Sequence, residues 1–111
     1  MTNAQVKQGR EKDIERLHQH TGLEERECRR IMTSFYRLSA LDYRLMELEN
    51  DAWFYEHRKM WLDRESDRAY NWLMRLCKEL EPYGLKVRLS GGYAHLETTD
   101  GQTFTHGYFY N

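Results

Sequence analysis

The sequence contains little that punctuates a chain or crosslinks it: proline occurs once, at Pro82, and cysteine twice, at Cys28 and Cys77. No segment approaches the roughly 20 consecutive apolar residues of a membrane-spanning helix, so insertion into a bilayer is not expected. The cysteines stand far apart in helically patterned, apolar surroundings, and nothing resembles a secretory leader. The expectation is of reduced thiols in a cytoplasmic protein. An excess of charge of one sign is missing too, since 17 Lys+Arg face 18 Asp+Glu for a net charge of −1. Such a balance supplies neither the basic field of a phosphate binder nor the acidic field of a nucleic-acid mimic.

Catalytic spacings are lacking as well. No Cys-x-x-Cys or His-Glu-x-x-His pair occurs, no glycine-rich loop is placed to cradle phosphate, and no serine or cysteine sits in a nucleophile elbow. Only His95 with His106 could share an ion across strands, and two ligands make an incomplete site, so these read as surface imidazoles. No cofactor and no enzymatic activity are expected. A small enzyme or metal-dependent hydrolase, using His95, Glu97 and His106 as acid and base, is an alternative.

What is present indicates a fold. With 111 residues, 40% of them hydrophobic and 14% aromatic, the chain supports one domain with one core. Residues 1–9 read as a flexible start, and Arg10 to His20 as a short helix stopped by Thr21-Gly22. From Leu23 to Glu81 there is neither glycine nor proline. A single helix of that length would be roughly 88 Å long at about 1.5 Å per residue, so the segment must fold back or project into an oligomer. Apolar positions from Cys28 to Leu62 follow 3/4 spacing, a coiled-coil-like seam. Ser39 to Asp42 has the look of a helix cap, and Asp63 to Asp67 is the better place for a reversal. A second row at Tyr36, Tyr43, Met46, Trp53 and Met60 widens the stripe and predicts a homodimer held by residues 28–62. The alternative is a helical hairpin that buries both rows in one monomer. After the reversal, Ala69, Trp72, Leu73, Leu76, Cys77 and Leu80 form one stripe of a further helix, and Trp72, Leu73 and Leu76 are expected to face the apolar side of the sheet.

Beyond Gly84 the period changes from 3.6 to 2, and glycine turns at 91–92 and 100–101 mark three short strands. The expected class is therefore α+β: three to four helices over 10–81, with one long coiled-coil-like segment, then a C-terminal three-stranded antiparallel β-meander over 85–110. Counting outward from two-residue turns pairs Leu89 with Ala94, Glu97 with Phe104 and His95 with His106. One face then carries Leu85, Val87, Leu89, Ala94, Leu96 and Phe109 and should pack on helices. The other carries Lys86, Arg88, Tyr93, His95, Glu97, Phe104, His106, Tyr108 and Tyr110. Clustered aromatics with cations suit a protein interface or the stacking of single-stranded bases. Lys86, Arg88, Tyr93, His95, Phe104, His106, Tyr108 and Tyr110 are the candidate partner-binding residues, unless another helix or a symmetry mate covers them.

The segment Asp13 to Ile31 resembles a helix-turn-helix unit. Leu17 precedes the turn Thr21-Gly22-Leu23, and Cys28 and Ile31 fall where a second helix packs back. The resemblance implies a DNA-binding regulator with Arg26, Arg29 and Arg30 as nucleic-acid contacts, against which Glu24, Glu25 and Glu27 would repel phosphate. The leading expectation is instead a non-enzymatic regulatory protein acting through protein–protein contact, by the sheet face or by the Trp53/Phe54/Trp61 region. Small, aromatic-rich chains of this kind resemble in style the accessory proteins of phages and mobile elements, among them anti-CRISPR-like inhibitors of host defence nucleases.

Overall fold

A computed structural model describes residues 2–49 and 56–106 of the chain. Three helices, α1 (Asn3–Thr21), α2 (Glu25–Glu49) and α3 (Glu56–Leu80), lead through a 3-10 turn at Glu81–Tyr83 into β1 (Leu85–Ser90), β2 (Tyr93–Thr98) and β3 (Thr103–His106). The strands form an antiparallel sheet in the order β1-β2-β3, and the α+β class expected from the sequence is the one observed. Among the described residues there are three helices, the lower of the expected three to four, and a coiled coil along the 3/4 spacing is not shown. Buried residues of α2 spread over a wide arc and serve α1, α3 and the sheet together.

Helix α1 begins earlier than the sequence suggested. Thr2 and Gln5 cap each other reciprocally, the Thr2 hydroxyl accepting from the Gln5 amide at 3.2 Å and the Gln5 side chain from the Thr2 amide at 2.8 Å. Two free amide donors are satisfied at once, and residues 3–9 are helical rather than a loose start. Gly22 ends the helix at φ +75°, a left-handed conformation that costs glycine least, and donates its amide to the His18 carbonyl at 2.9 Å.

Helices α1 and α2 pack against each other. Arg29 holds Glu11 at 2.7 Å, and the Arg10 guanidinium lies over the Tyr36 ring at 5.6 Å. Asp13 is buried on this seam at 5% exposure, accepting from the Tyr36 hydroxyl and, at 2.9 Å, from Thr105 of β3. A carboxylate so placed is tolerable because hydroxyl donors answer it, and it fastens α1 to both α2 and the sheet.

Helix α2 ends at Glu49 and α3 begins at Glu56, and Ala52, Trp53, Phe54 and Tyr55 lie outside the described residues. Asp63 to Asp67 lies inside α3 instead. This run contains no glycine or proline, and Glu65 supports the helix by pairing with Arg68 at 3.2 Å. Ser39 starts no new helix either; buried in α2, its hydroxyl accepts from the Ala94 amide at 2.9 Å and ties helix to strand. The molecule measures 47 × 33 × 24 Å, far less than an unbroken 59-residue helix would need.

The core is one cluster. Phe35, Met32 and Leu38 of α2 and Leu76 and Leu80 of α3 join Leu85, Val87, Ala94 and Leu96 of the sheet. Leu76 is 2% exposed, whereas Trp72 and Leu73 are half-buried at its margin, the Trp72 indole donating to Ser34 at 2.6 Å.

Candidate functional site

The outer sheet face is assembled largely as the turns dictate, with one displacement. Pairing of β1 with β2 follows the expected register, Val87 opposite Leu96 and Leu89 opposite Ala94. The second connection is a three-residue loop, Thr99 to Gly101, closed by the Thr98 amide donating to the Gln102 carbonyl at 2.8 Å, with Gly101 at φ +93°. This shifts the pairing by one residue, so Glu97 meets Thr103. A bulge at Phe104 shifts it back, and His95 meets His106 as expected.

The extra residue turns Phe104 away from the outer face and toward α1. Its ring meets His20 edge-on at 5.6 Å, and the Arg16 guanidinium covers it at 4.7 Å. Phe104 is therefore a buried contact between β3 and α1, not a member of the outer aromatic cluster.

On that face Lys86 and Arg88 are exposed and Tyr93 is half-buried, its ring 4.5 Å from that of His95. His95 and Glu97 are buried on the central strand. Arg88 donates to Glu97 at 2.7 and 3.1 Å, and this contact holds the Glu97 carboxyl below its usual range. One of the two cations on the face thus already has its counterion. Tyr108 and Tyr110, and the side chain of His106, lie outside the described residues.

Of the arginines in the helix-turn-helix resemblance, Arg26 is exposed and two are engaged. Arg29 binds Glu11 and Glu25, and Arg30 binds Glu27 and Glu79. Two of the carboxylates that would repel phosphate, Glu25 and Glu27, are among those that neutralise these guanidiniums.

The sequence reading reaches a third surface only in part, through Met46, Met60 and Trp61, and misses Tyr70 and Met74. The large apolar side chains left most exposed among the described residues, Met46, Met60, Trp61, Tyr70 and Met74, all belong to α2 and α3. Tyr70 (60% exposed) and Met74 (50%) stand one turn apart on α3, beside the seam where α3 runs antiparallel to β1. The Cys77 thiol donates to the Val87 carbonyl at 3.2 Å in the middle of this seam.

A cavity opens at each end of the seam. One, of about 410 Å³, has Leu45, Met46, Ala69, Leu73 and Leu89 as its apolar lining and Asp42 and Glu49 as the only charged residues among the described ones. Burial, and then the neighbouring Glu49 charge, push the Asp42 carboxyl above its usual range. The other, of about 630 Å³, lies by Met74, Cys77 and Leu85 and carries Arg75, Lys78 and Lys86 against one carboxylate, Glu81, among the described residues. The β1–β2 turn shapes the first cavity by close approach, because a side-chain carbon at Gly92 would stand 2.7 Å from the Met46 sulfur. A signal for this surface existed in the sequence: Tyr70, Met74 and Cys77 follow 3/4 spacing beside the core stripe.

Among the described residues no three His, Cys, Asp or Glu side chains gather into a group able to hold a metal ion, and no helix is long and apolar enough to cross a membrane. Comparison of the chain with protein-family models, with curated proteins and with solved structures finds no match in any of the three.

Proposed function

We propose that this chain is a non-enzymatic binding protein that regulates a partner protein by contact, with the α3–β1 seam as its principal contact surface. The observation that carries the reading is the concentration of exposed Met and Tyr on one hairpin, next to half-buried Leu73 and Leu89. Water-exposed clusters of this kind have no folding rationale and are enriched at interfaces, where methionine adapts to the opposing shape and tyrosine anchors it. The outer sheet face offers less, because Phe104 has left it and Arg88 is committed to Glu97.

The test is affinity capture from the native cell with the wild-type chain and with a Tyr70→Ala/Met74→Ala variant. Both residues are exposed, so the variant should keep its fold, checked by its circular dichroism and unfolding midpoint. A protein retained by the wild type and depleted at least tenfold by the variant is the expected result. Equal retention by both, or retention of nucleic acid alone, overturns the reading.

A further inference from the structure

Resting on the reading above, we infer that the α3–β1 seam takes an extended segment of the partner protein that carries a basic side chain for the Asp42–Glu49 cavity and an acidic one for the Arg75–Lys78–Lys86 end.

The first argument is charge complementarity. Asp42 and Glu49, seven residues apart on one face of α2, stand over an apolar floor with no lysine or arginine among the described residues of its lining. Neither is in an ion pair with another described residue. A partly desolvated carboxylate beside a second one is unfavourable for folding, and a guanidinium or ammonium group from outside is the ligand that relieves it. Arginine suits the site better than a small cation: its aliphatic stem matches Leu73 and Leu89, and its planar head can lie against the exposed Tyr70 ring. The protein does answer other carboxylates internally, as Glu11, Glu27 and Glu97 show.

The second argument is polarity along the seam. From Tyr70 to Lys78 is eight residues of helix, about 12 Å at about 1.5 Å per residue. An extended peptide advances about 3.3 Å per residue, so a basic and an acidic residue four positions apart match the two ends. Apolar residues between them would cover Tyr70, Leu73 and Met74.

The probe is the peptide acetyl-Arg-Leu-Ala-Leu-Glu-amide, titrated into the whole chain by calorimetry and amide NMR. Alongside it go the peptides with glutamine in place of the arginine or of the glutamate. On the wild type, losing the arginine should weaken binding at least fivefold and losing the glutamate at least twofold. On an Asp42→Asn/Glu49→Gln variant the arginine effect should shrink to less than 1.5-fold. NMR shifts should fall on residues 66–78 and 85–92. An arginine effect that persists in the variant, shifts confined elsewhere, or no binding at millimolar peptide would overturn the inference. Capture that survives Asp42→Asn/Glu49→Gln but not Tyr70→Ala/Met74→Ala would remove the charge assignment alone. Capture that survives both variants would remove the contact surface itself.

Discussion

The Asp42–Glu49 cavity and the groove about Trp72 both border α3, and they differ in the sign of their charge and in how that charge is answered. At one end of the α3–β1 seam, Asp42 and Glu49 border a cavity with no cation among the described residues of its lining. About Trp72, Arg30, Arg68 and Arg75, the last of which also lines the basic end of the seam, border a groove of about 350 Å³, an arrangement that by residue type alone would suggest phosphate binding. Yet Arg30 is held by Glu27 and Glu79, while Arg68 is held by Glu65 and lies over the Trp72 ring at 5.9 Å. The groove that looks more like a binding site is largely neutralised from within. Residue type near a groove is therefore a weaker guide to a partner than the local balance of charge.

Substitutions can break or sharpen this contrast. The largest effect should come from the residue that anchors α3 and so supports both sides. Leu76→Ala removes a side chain that is 2% exposed and should cost about 2–5 kcal/mol, read as a lowered urea midpoint. An unchanged midpoint would mean that α3 is not fixed against the sheet, and the contrast would lose its frame. On the cavity side alone, Gly92→Ala places a carbon 2.7 Å from the Met46 sulfur at a residue with φ +84°. It should destabilise by about 1–3 kcal/mol by the same measurement. On the groove side, Trp72→Phe forfeits the hydrogen bond to Ser34 and should cost about 1 kcal/mol.

The smallest effects should differ in sign with pH. Arg30 holds the Glu27 carboxyl below its usual range. That pair contributes stability above the unfolded-state pKa of about 4.3 and loses it as pH falls through the lower folded value. Glu27→Gln should therefore melt below the wild type at pH 7 and match it near pH 2. Asp42 is raised by burial, so its charged form opposes folding at neutral pH and the penalty disappears on acidification. Asp42→Asn should melt above the wild type at pH 7 and converge with it below the unfolded-state value of about 3.9. Thermal melts of both variants at the two pH extremes check this. Differences of the same sign at pH 7 would show that the sides are not opposed.

Element types were legible where period and punctuation agreed. The switch from a 3.6 to a 2 period at Gly84 and the paired glycines at 91–92 place β1 and β2 in their register. The second turn was misread by one residue because Asp-Gly also suits a three-residue loop. The bulge that restores register rests on Phe104 docking against His20 and Arg16, a long-range contact that no local pattern announces. Similarly, Asp63 to Asp67 has the polar composition of a turn but continues as helix, because nothing in it breaks a helix and Glu65–Arg68 favours one. The outer face was derived by alternation alone, which assigns a side but not whether a cation there is already paired.

The sequence by itself determined the α+β class, the glycine-bounded strands, the stripe by which α3 covers the sheet, and the absence of an apolar span long enough for a bilayer. Each follows from a short-range rule, either a period or a backbone conformation that one residue type adopts most cheaply. Tertiary structure alone decided which charges are spent and which remain to be answered. Arg30 meets Glu79 across 49 positions, Asp13 meets Thr105 across 92, and Asp42 meets no cation among the described residues. Coulomb and hydrogen-bond energies depend on separation in space and on burial, and the chain's order specifies neither until the helices have packed.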